Sequence, residues 1–252
     1  MIKKKEFDEL KDLLLKETKG KKVYYLANPG NWGDGLIRFG TKLFFAEIGL
    51  IYKELSPKRS DWIVPFMKGG VVIYGGGGAW CKNWQNTYVE KLSKRFKVIV
   101  LPSTYESKIK LKNTIFFARD KYESLKNIPT PYFTHDMAFY IGSMFYKGNP
   151  GSGNGYFYRE DKESAGVLEL GTNNIDISHK GNHYTPVENF FGEISNYEII
   201  HTDRLHVAIA AVLMKKTLHW YPGNYFKSEA VYNSSIKEHF KNVYFHADFS
   251  TQ

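Results

Sequence analysis

Four consecutive glycines, Gly75 to Gly78, follow directly on the apolar run Val71-Val-Ile-Tyr74, and few folds accommodate that junction. A run without polar alternation suits a strand buried on both faces, and glycine lets the chain leave it through positive φ or close backbone approach. A similar order occurs earlier: the strand pattern Val23-Tyr-Tyr-Leu26, the loop Asn28 to Gly35, and a helical pattern from Leu36 to about Ile48. After the glycines, Tyr88, Leu92 and Phe96 share one side of a helix expected from about Trp84 to Phe96. Further strands are expected at Val98 to Leu101, Thr114 to Phe117 and Tyr132 to Thr134. Ahead of all these, Phe7, Leu10, Leu13, Leu14 and Leu15 mark an amphipathic opening helix over residues 4 to 18. Apolar strands alternating with helices imply an α/β fold with a parallel sheet covered on both faces.

The segment Lys147 to Gly155 offers almost nothing to bury and reads as a linker, which places a domain boundary between residues 1–148 and 149–252. Beyond it the pattern resumes, with strands at Tyr156 to Tyr158, Val167 to Leu170, Glu198 to His201, Leu218 to Tyr221 and Val243 to His246. Helices lie between them at about Val187 to Ser195, Arg204 to Met214 and Phe226 to Phe240. Two such domains in series leave a cleft between them.

With 252 residues and 42% hydrophobic content the chain can bury a full core. No stretch approaches the roughly 18 apolar residues of a membrane span, and Met1 to Leu10 lacks the apolar run of a signal peptide, so a cytoplasmic location is expected. The single cysteine, Cys81, excludes an intramolecular disulfide and cysteine-pair redox chemistry. A formal charge of +9 favours anionic partners. Dispersed lysines without a zinc-finger, RNA-recognition or helix-turn-helix signature argue against nucleic acid.

In parallel α/β sheets, ligands sit at the carboxyl ends of strands, where helix N-termini present backbone N–H groups. Both glycine-rich loops belong there, and four glycines beside Trp80 favour a binding loop over a mere tight turn. Neither matches a dinucleotide fingerprint or a Walker P-loop, so NAD and ATP have no support. The sharpest segment is His201-Thr-Asp-Arg-Leu-His206, which opens the apolar helix Val207 to Met214. Thr202 or Asp203 can cap that helix, placing Arg204 and His206 at its positive end as anion binder and proton carrier. Against this stands the simpler reading of an Asp203–Arg204 surface pair with His206 capping the helix. Phe117-Ala-Arg-Asp120 and Phe157-Tyr-Arg-Glu160 each end a strand with arginine and carboxylate, suiting an anion site or a structural salt bridge alike. His135-Asp136 suits an acid–base pair or a helix cap. His179 and His183 have metal-ligand spacing, but Gly181 and Asn182 break the helix and no further ligand completes a set.

Six segments in order resemble the polysaccharide pyruvyl transferase family, particularly its exopolysaccharide members, across residues 22 to 245. They are Asn31-Trp-Gly-Asp34-Gly-Leu-Ile, Gly75 to Trp80, Leu101-Pro-Ser-Thr104, Ala118-Arg-Asp120 with Ser124, His135-Asp136-Met-Ala-Phe139, and Thr202-Asp-Arg-Leu-His206 followed by Asn224 to Tyr232. The resemblance implies two Rossmann-like domains arranged as in GT-B glycosyltransferases. It also implies phosphoenolpyruvate as donor, with neither metal nor nucleotide cofactor. Donor binding is expected from Arg204, Leu205 and His206 with Arg119, and Arg159 behind it. Catalysis would fall to His206 as acid or phosphate partner, with Asp34 or Asp136 acting on the acceptor hydroxyls. The acceptor sugar would lie against Asn31, Asp34, Gly76, Gly77, Trp80 and Trp84. A lipid-linked acceptor would bring the basic residues Lys3 to Lys5 to the inner face of the membrane. Two rivals share the plan: a GT-B glycosyltransferase using a nucleotide sugar, and a non-catalytic glycan-assembly protein.

Overall fold

The computed structural model describes residues 1–56, 69–82, 84–85, 87–166 and 170–247. A 3-10 turn at Lys4–Phe7 leads into α1 (Asp8–Thr18), β1 (Val23–Leu26), α2 (Trp32–Glu47), β2 (Lys53–Leu55), β3 (Val71–Tyr74), β4 (Gly77–Cys81) and β5 (Trp84–Gln85). Then come α3 (Tyr88–Ser93), β6 (Lys97–Tyr105), β7 (Thr114–Ala118), α4 (Glu123–Lys126) and β8 (Tyr132–Phe133). The second half contains β9 (Asn154–Phe157), α5 (Glu188–Ser195), β10 (Ile199–Thr202), α6 (Leu205–Leu213), β11 (Thr217–Trp220), α7 (Lys227–Val231) and β12 (Val243–Phe245).

Among the described residues the strands form two sheets. In the first, β2, β1, β3 and β6 run parallel in that order, and β7 and β8 extend it from β6. The second has the order β12-β11-β10-β9, all parallel. The fold is therefore α/β with mainly parallel sheets, and strands change sheet between β8 and β9. Alternate residues of β3 enter different cores: Val71 and Ile73 join a cluster with Phe44, Phe190, Ala208 and Trp220 that reaches both sheets. Val72 and Tyr74 join Leu92, Val98 and Phe116 in a second cluster. That double burial is the reason β3 shows no polar alternation. The expected strand at Val167 to Leu170 lies outside the described residues except for Leu170, which is irregular.

Three local expectations are corrected. The helix expected from Leu36 begins at Trp32, because Asn31 and Asp34 form a capping box: Asn31 Oδ1 accepts from Gly33 N at 2.8 Å and Asp34 Oδ2 from Asn31 N at 3.0 Å. The helix expected from Trp84 begins at Tyr88, because the chain after the glycines makes the short strands β4 and β5 first. The long helix expected over Phe226 to Phe240 is α7 followed by a π turn at Tyr232–Ile236.

The glycine run is mostly consumed by packing. A Cβ on Gly75 would meet Asn28 N at 2.6 Å and one on Gly76 would meet Pro102 O at 2.2 Å, while Gly77 has φ +128°. These residues let β4 continue β3 beside the second half of β6, where Gly77 pairs with Ser103 and Trp80 with Tyr105.

Candidate active site

A cavity of about 780 Å³ opens where the carboxyl ends of strands from both sheets converge. The residues just beyond β1 (Asn28, Pro29), β7 (Arg119), β9 (Arg159) and β10 (Arg204) all line it. So do Asn31, Gly33 and Asp34 at the start of α2 and Leu205, His206 and Val207 in the first turn of α6. Two helix N-termini thus face one space. The halves are joined there too: Trp32 Nε1 donates to Pro186 O at 3.0 Å and its ring meets Phe190 edge-on.

Among the described residues no side chain caps α6. Neither Thr202 nor Asp203 takes the expected capping role: Thr202 Oγ1 accepts from Arg204 N at 2.9 Å, and Asp203 Oδ1 accepts from Arg159 N at 2.9 Å. α6 is apolar all round and buried, except that His206 retains partial exposure toward the cavity. Gly33 makes room for its ring, since a Cβ there would stand 2.5 Å from His206 Nδ1.

The cations are organised by carboxylates. Arg204 pairs through Nη2 with Asp161 at 3.0 Å and with Asp176, not with Asp203 as the simpler reading had it. Its Nε is buried without a hydrogen-bond partner among the described residues. Arg159 pairs with Asp161 at 2.9 Å and Glu163 at 2.7 Å, and Lys227 also holds Glu163. Arg119 is 1% exposed; it donates to Thr104 Oγ1 at 2.7 Å and to Asp136 Oδ2 at 2.8 Å. Arg119, Arg159, Arg204 and Lys227 all border the cavity. Held this way, guanidinium groups lose little further freedom on taking an anion.

Asp136 does not line the cavity. Its Oδ1 caps the turn Met137–Ile141 at Ala138 N, and its Oδ2 lies 3.8 Å from His206 Nε2. Burial alone would raise its pKa, but His206 and Arg119 outweigh burial and hold the carboxyl well below the usual range. The expectation that it meets acceptor hydroxyls is therefore corrected: Asp136 stands behind the imidazole. Asp34 does border the cavity, and burial pushes its carboxyl up against the opposing pull of His206 and Arg119.

The glycine loop enters the cavity through Gly78 and Ala79, whereas Gly76 and Gly77 lie off its lining. Trp80 is also displaced from it, packing at ring distances of 5.8 Å on Tyr74 and 5.2 Å on Tyr105. The Trp84 side chain lies outside the described residues. Cys81 is buried, and burial pushes its thiol up. His179 borders the cavity and contacts Asp176, while His183 meets Gly30 instead, so the two form no common ligand set. Lys227, Asp161, Glu163 and Asp176 had no role in the sequence reading. Lys227 falls within the resembling segment Asn224 to Tyr232, and that was its one available signal.

The family model for polysaccharide pyruvyl transferase matches residues 31–221. The chain belongs to the polysaccharide pyruvyl transferase family. Membership makes it a transferase of the pyruvyl group in polysaccharide synthesis. A solved structure of a functionally uncharacterised protein from Klebsiella pneumoniae subsp. pneumoniae NTUH-K2044 is similar, at 26% identity and a TM-score of 0.74, over 98% of this chain and 100% of that one. Comparison with curated proteins finds no match.

Proposed function

We propose that this pyruvyltransferase takes the enolpyruvyl group of phosphoenolpyruvate and forms a ketal on a sugar of an exopolysaccharide, capsule or other surface-glycan precursor. The observation that carries the reading is the convergence of Arg204, Arg159, Arg119 and Lys227 on the uncapped first turn of α6 beside His206. A donor bearing both a carboxylate and a phosphate requires several cations and backbone N–H groups in one place. The orphaned Nε of Arg204 supports an anionic ligand there. Two mainly parallel sheets with a cavity at the carboxyl ends of their strands support the division at residues 148/149 into two Rossmann-like domains arranged as in GT-B enzymes.

Balanced chemistry assigns the roles. A proton is added to the methylene carbon, one sugar hydroxyl attacks the neighbouring carbon, and a second hydroxyl displaces phosphate. One hydroxyl proton ends in the new methyl group and the other leaves with phosphate. His206 delivers the proton or stabilises the departing phosphate. Asp136 orients the imidazole from behind, as a positioning residue, and Asp34 accepts a proton from the acceptor. Burial raises the basicity of Asp34, which suits that task. Asn31, Gly78 and Tyr88 border the remaining space on the acceptor side.

No helix among the described residues is long and apolar enough to cross a membrane. A cytoplasmic enzyme meeting a lipid-linked acceptor through Lys3 to Lys5 completes the proposal. The test is turnover in deuterium oxide with phosphoenolpyruvate and a glycan-precursor fraction, read by mass spectrometry. A pyruvate ketal with one deuterium in its methyl group, formed with release of phosphate and absent from His206→Ala, supports the reading. Glycosyl transfer from a nucleotide sugar would refute it.

A further inference from the structure

Three segments far apart in the chain meet at one carboxylate oxygen. His135 Nε2 lies 3.2 Å and His239 Nε2 3.0 Å from Glu6 Oε2, and the three ligand-type atoms lie within 4.8 Å of one another. None of these residues lines the cavity. We propose that Glu6, His135 and His239 bind a divalent first-row transition ion, Zn²⁺ by preference, which fastens the opening turn and the chain after α7 to the segment that carries Asp136. This site is separate from the cavity to which the transfer chemistry is assigned.

Both separations from the Glu6 oxygen fit with little adjustment. Zinc bonds of about 2.0–2.1 Å in tetrahedral array separate ligand atoms by roughly 3.3 Å, within a few tenths of an ångström of the two separations here. Two imidazoles and one carboxylate form a donor set suited to zinc, with a fourth position for water. Glu6 and His239 are partly exposed, at 28% and 21%, so the ion has an entry path. Without an ion, both Nε2 atoms face the same oxygen and share their protons with it. An ion replaces those protons, and each imidazole then binds through its Nε2 lone pair.

The surroundings hold the ligands in place. His135 Nδ1 lies 2.8 Å from Ser235 Oγ, the kind of outer contact that fixes a ligating imidazole. Burial lowers the His135 pKa to about 4, which keeps the ring in its neutral, metal-binding form. Glu6 Oε1 accepts from Lys3 N at 2.8 Å, leaving Oε2 for the ion. The π turn at Tyr232–Ile236 carries Ser235 and leads to His239, and such turns concentrate at functional sites.

The full chain, stripped of metal by chelation, would be titrated with Zn²⁺ by calorimetry and with Co²⁺ by absorption spectroscopy. The expected result is one ion per chain, a Co²⁺ spectrum of four- or five-coordinate nitrogen and oxygen ligation, and a raised melting temperature with Zn²⁺. Affinity should fall by at least about 100-fold in both Glu6→Gln and His239→Ala. Absence of stoichiometric binding overturns the proposal. So does undiminished binding in either variant, which would put the ion elsewhere, for instance at His219 and His246. Should His239→Ala fail to fold, Glu6→Gln and the Co²⁺ spectrum of the wild type decide.

Discussion

Replacing Gly33 by alanine asks whether the position of His206, beyond its presence, governs turnover. The new Cβ would stand 2.5 Å from His206 Nδ1 and 3.0 Å from its Cβ and Cγ, whereas ordinary contact begins near 3.4 Å. About 0.9 Å of relief is therefore needed, and a packed interior supplies it only by moving something. α2 is pinned, because Gly40 lies so close to the Met137 carbonyl that a Cβ there would stand 2.0 Å from it. The imidazole must move instead, away from its present 3.8 Å separation from Asp136. A displacement of about 1 Å in a reacting group costs on the order of 100-fold in rate. Alanine in a helix gains about 0.5–1 kcal/mol over glycine, which offsets part of the strain and keeps the protein folded. Steady-state turnover of phosphoenolpyruvate and a thermal melt, run side by side, should show a large loss of kcat with little change in melting temperature. A kcat within about threefold of wild type would refute the reasoning.

Asp203 is 1% exposed, and burial pushes its carboxyl up to about 6 from 3.8. The folded form thus holds its proton more tightly than the unfolded form, and this group costs stability as pH rises from roughly 4 through 6. Asp203→Asn should match wild type near pH 4 and exceed it at pH 8 by up to about 3 kcal/mol in urea unfolding; the same difference at both pH values would contradict this. Asp136→Ala leaves Arg119 buried without its ion pair and should cost about 3–5 kcal/mol by the same assay, a loss under about 1 kcal/mol being incompatible with the pairing. Gly76→Ala drives a Cβ against the Pro102 carbonyl and should cost about 1–3 kcal/mol. At Gly78 the nearest atom to a new Cβ is Cys81 Sγ at 3.8 Å, so Gly78→Ala should stay within about 0.5 kcal/mol of wild type. Equal effects of the two substitutions would undo the division of labour within the glycine run.

The strands were legible because their apolar runs are local: β1, β3, β7 and β10 fall within about a residue of expectation. The start of α2 was not, because Asn31 and Asp34 read as loop polarity until their reciprocal hydrogen bonds are seen. The glycine run signalled close approach correctly but not its object: Gly75 and Gly76 meet neighbouring backbone, and Gly78 meets the cavity. That Arg119, Arg204 and His206 border the cavity was legible from their place after strands and at a helix start. The carboxylates that hold Arg204 were not, because Asp161 and Asp176 reach it across separations of 43 and 28 residues, which no local period records. Glu6, His135 and His239 are hidden for the same reason, at separations of 129 and 233 residues from Glu6.

The central claim is that this cavity binds phosphoenolpyruvate through Arg204. Calorimetric titration of wild type and Arg204→Lys with phosphoenolpyruvate, inorganic phosphate and nucleotide sugars tests it most directly. Lysine retains the charge facing Asp161 and Asp176 but loses the planar fork. The account predicts saturable one-to-one binding of phosphoenolpyruvate, tighter than phosphate, weakened by at least about tenfold in the variant and undisturbed by nucleotide sugars. Equal binding by both proteins, or binding of nucleotide sugars with none of phosphoenolpyruvate, would contradict it.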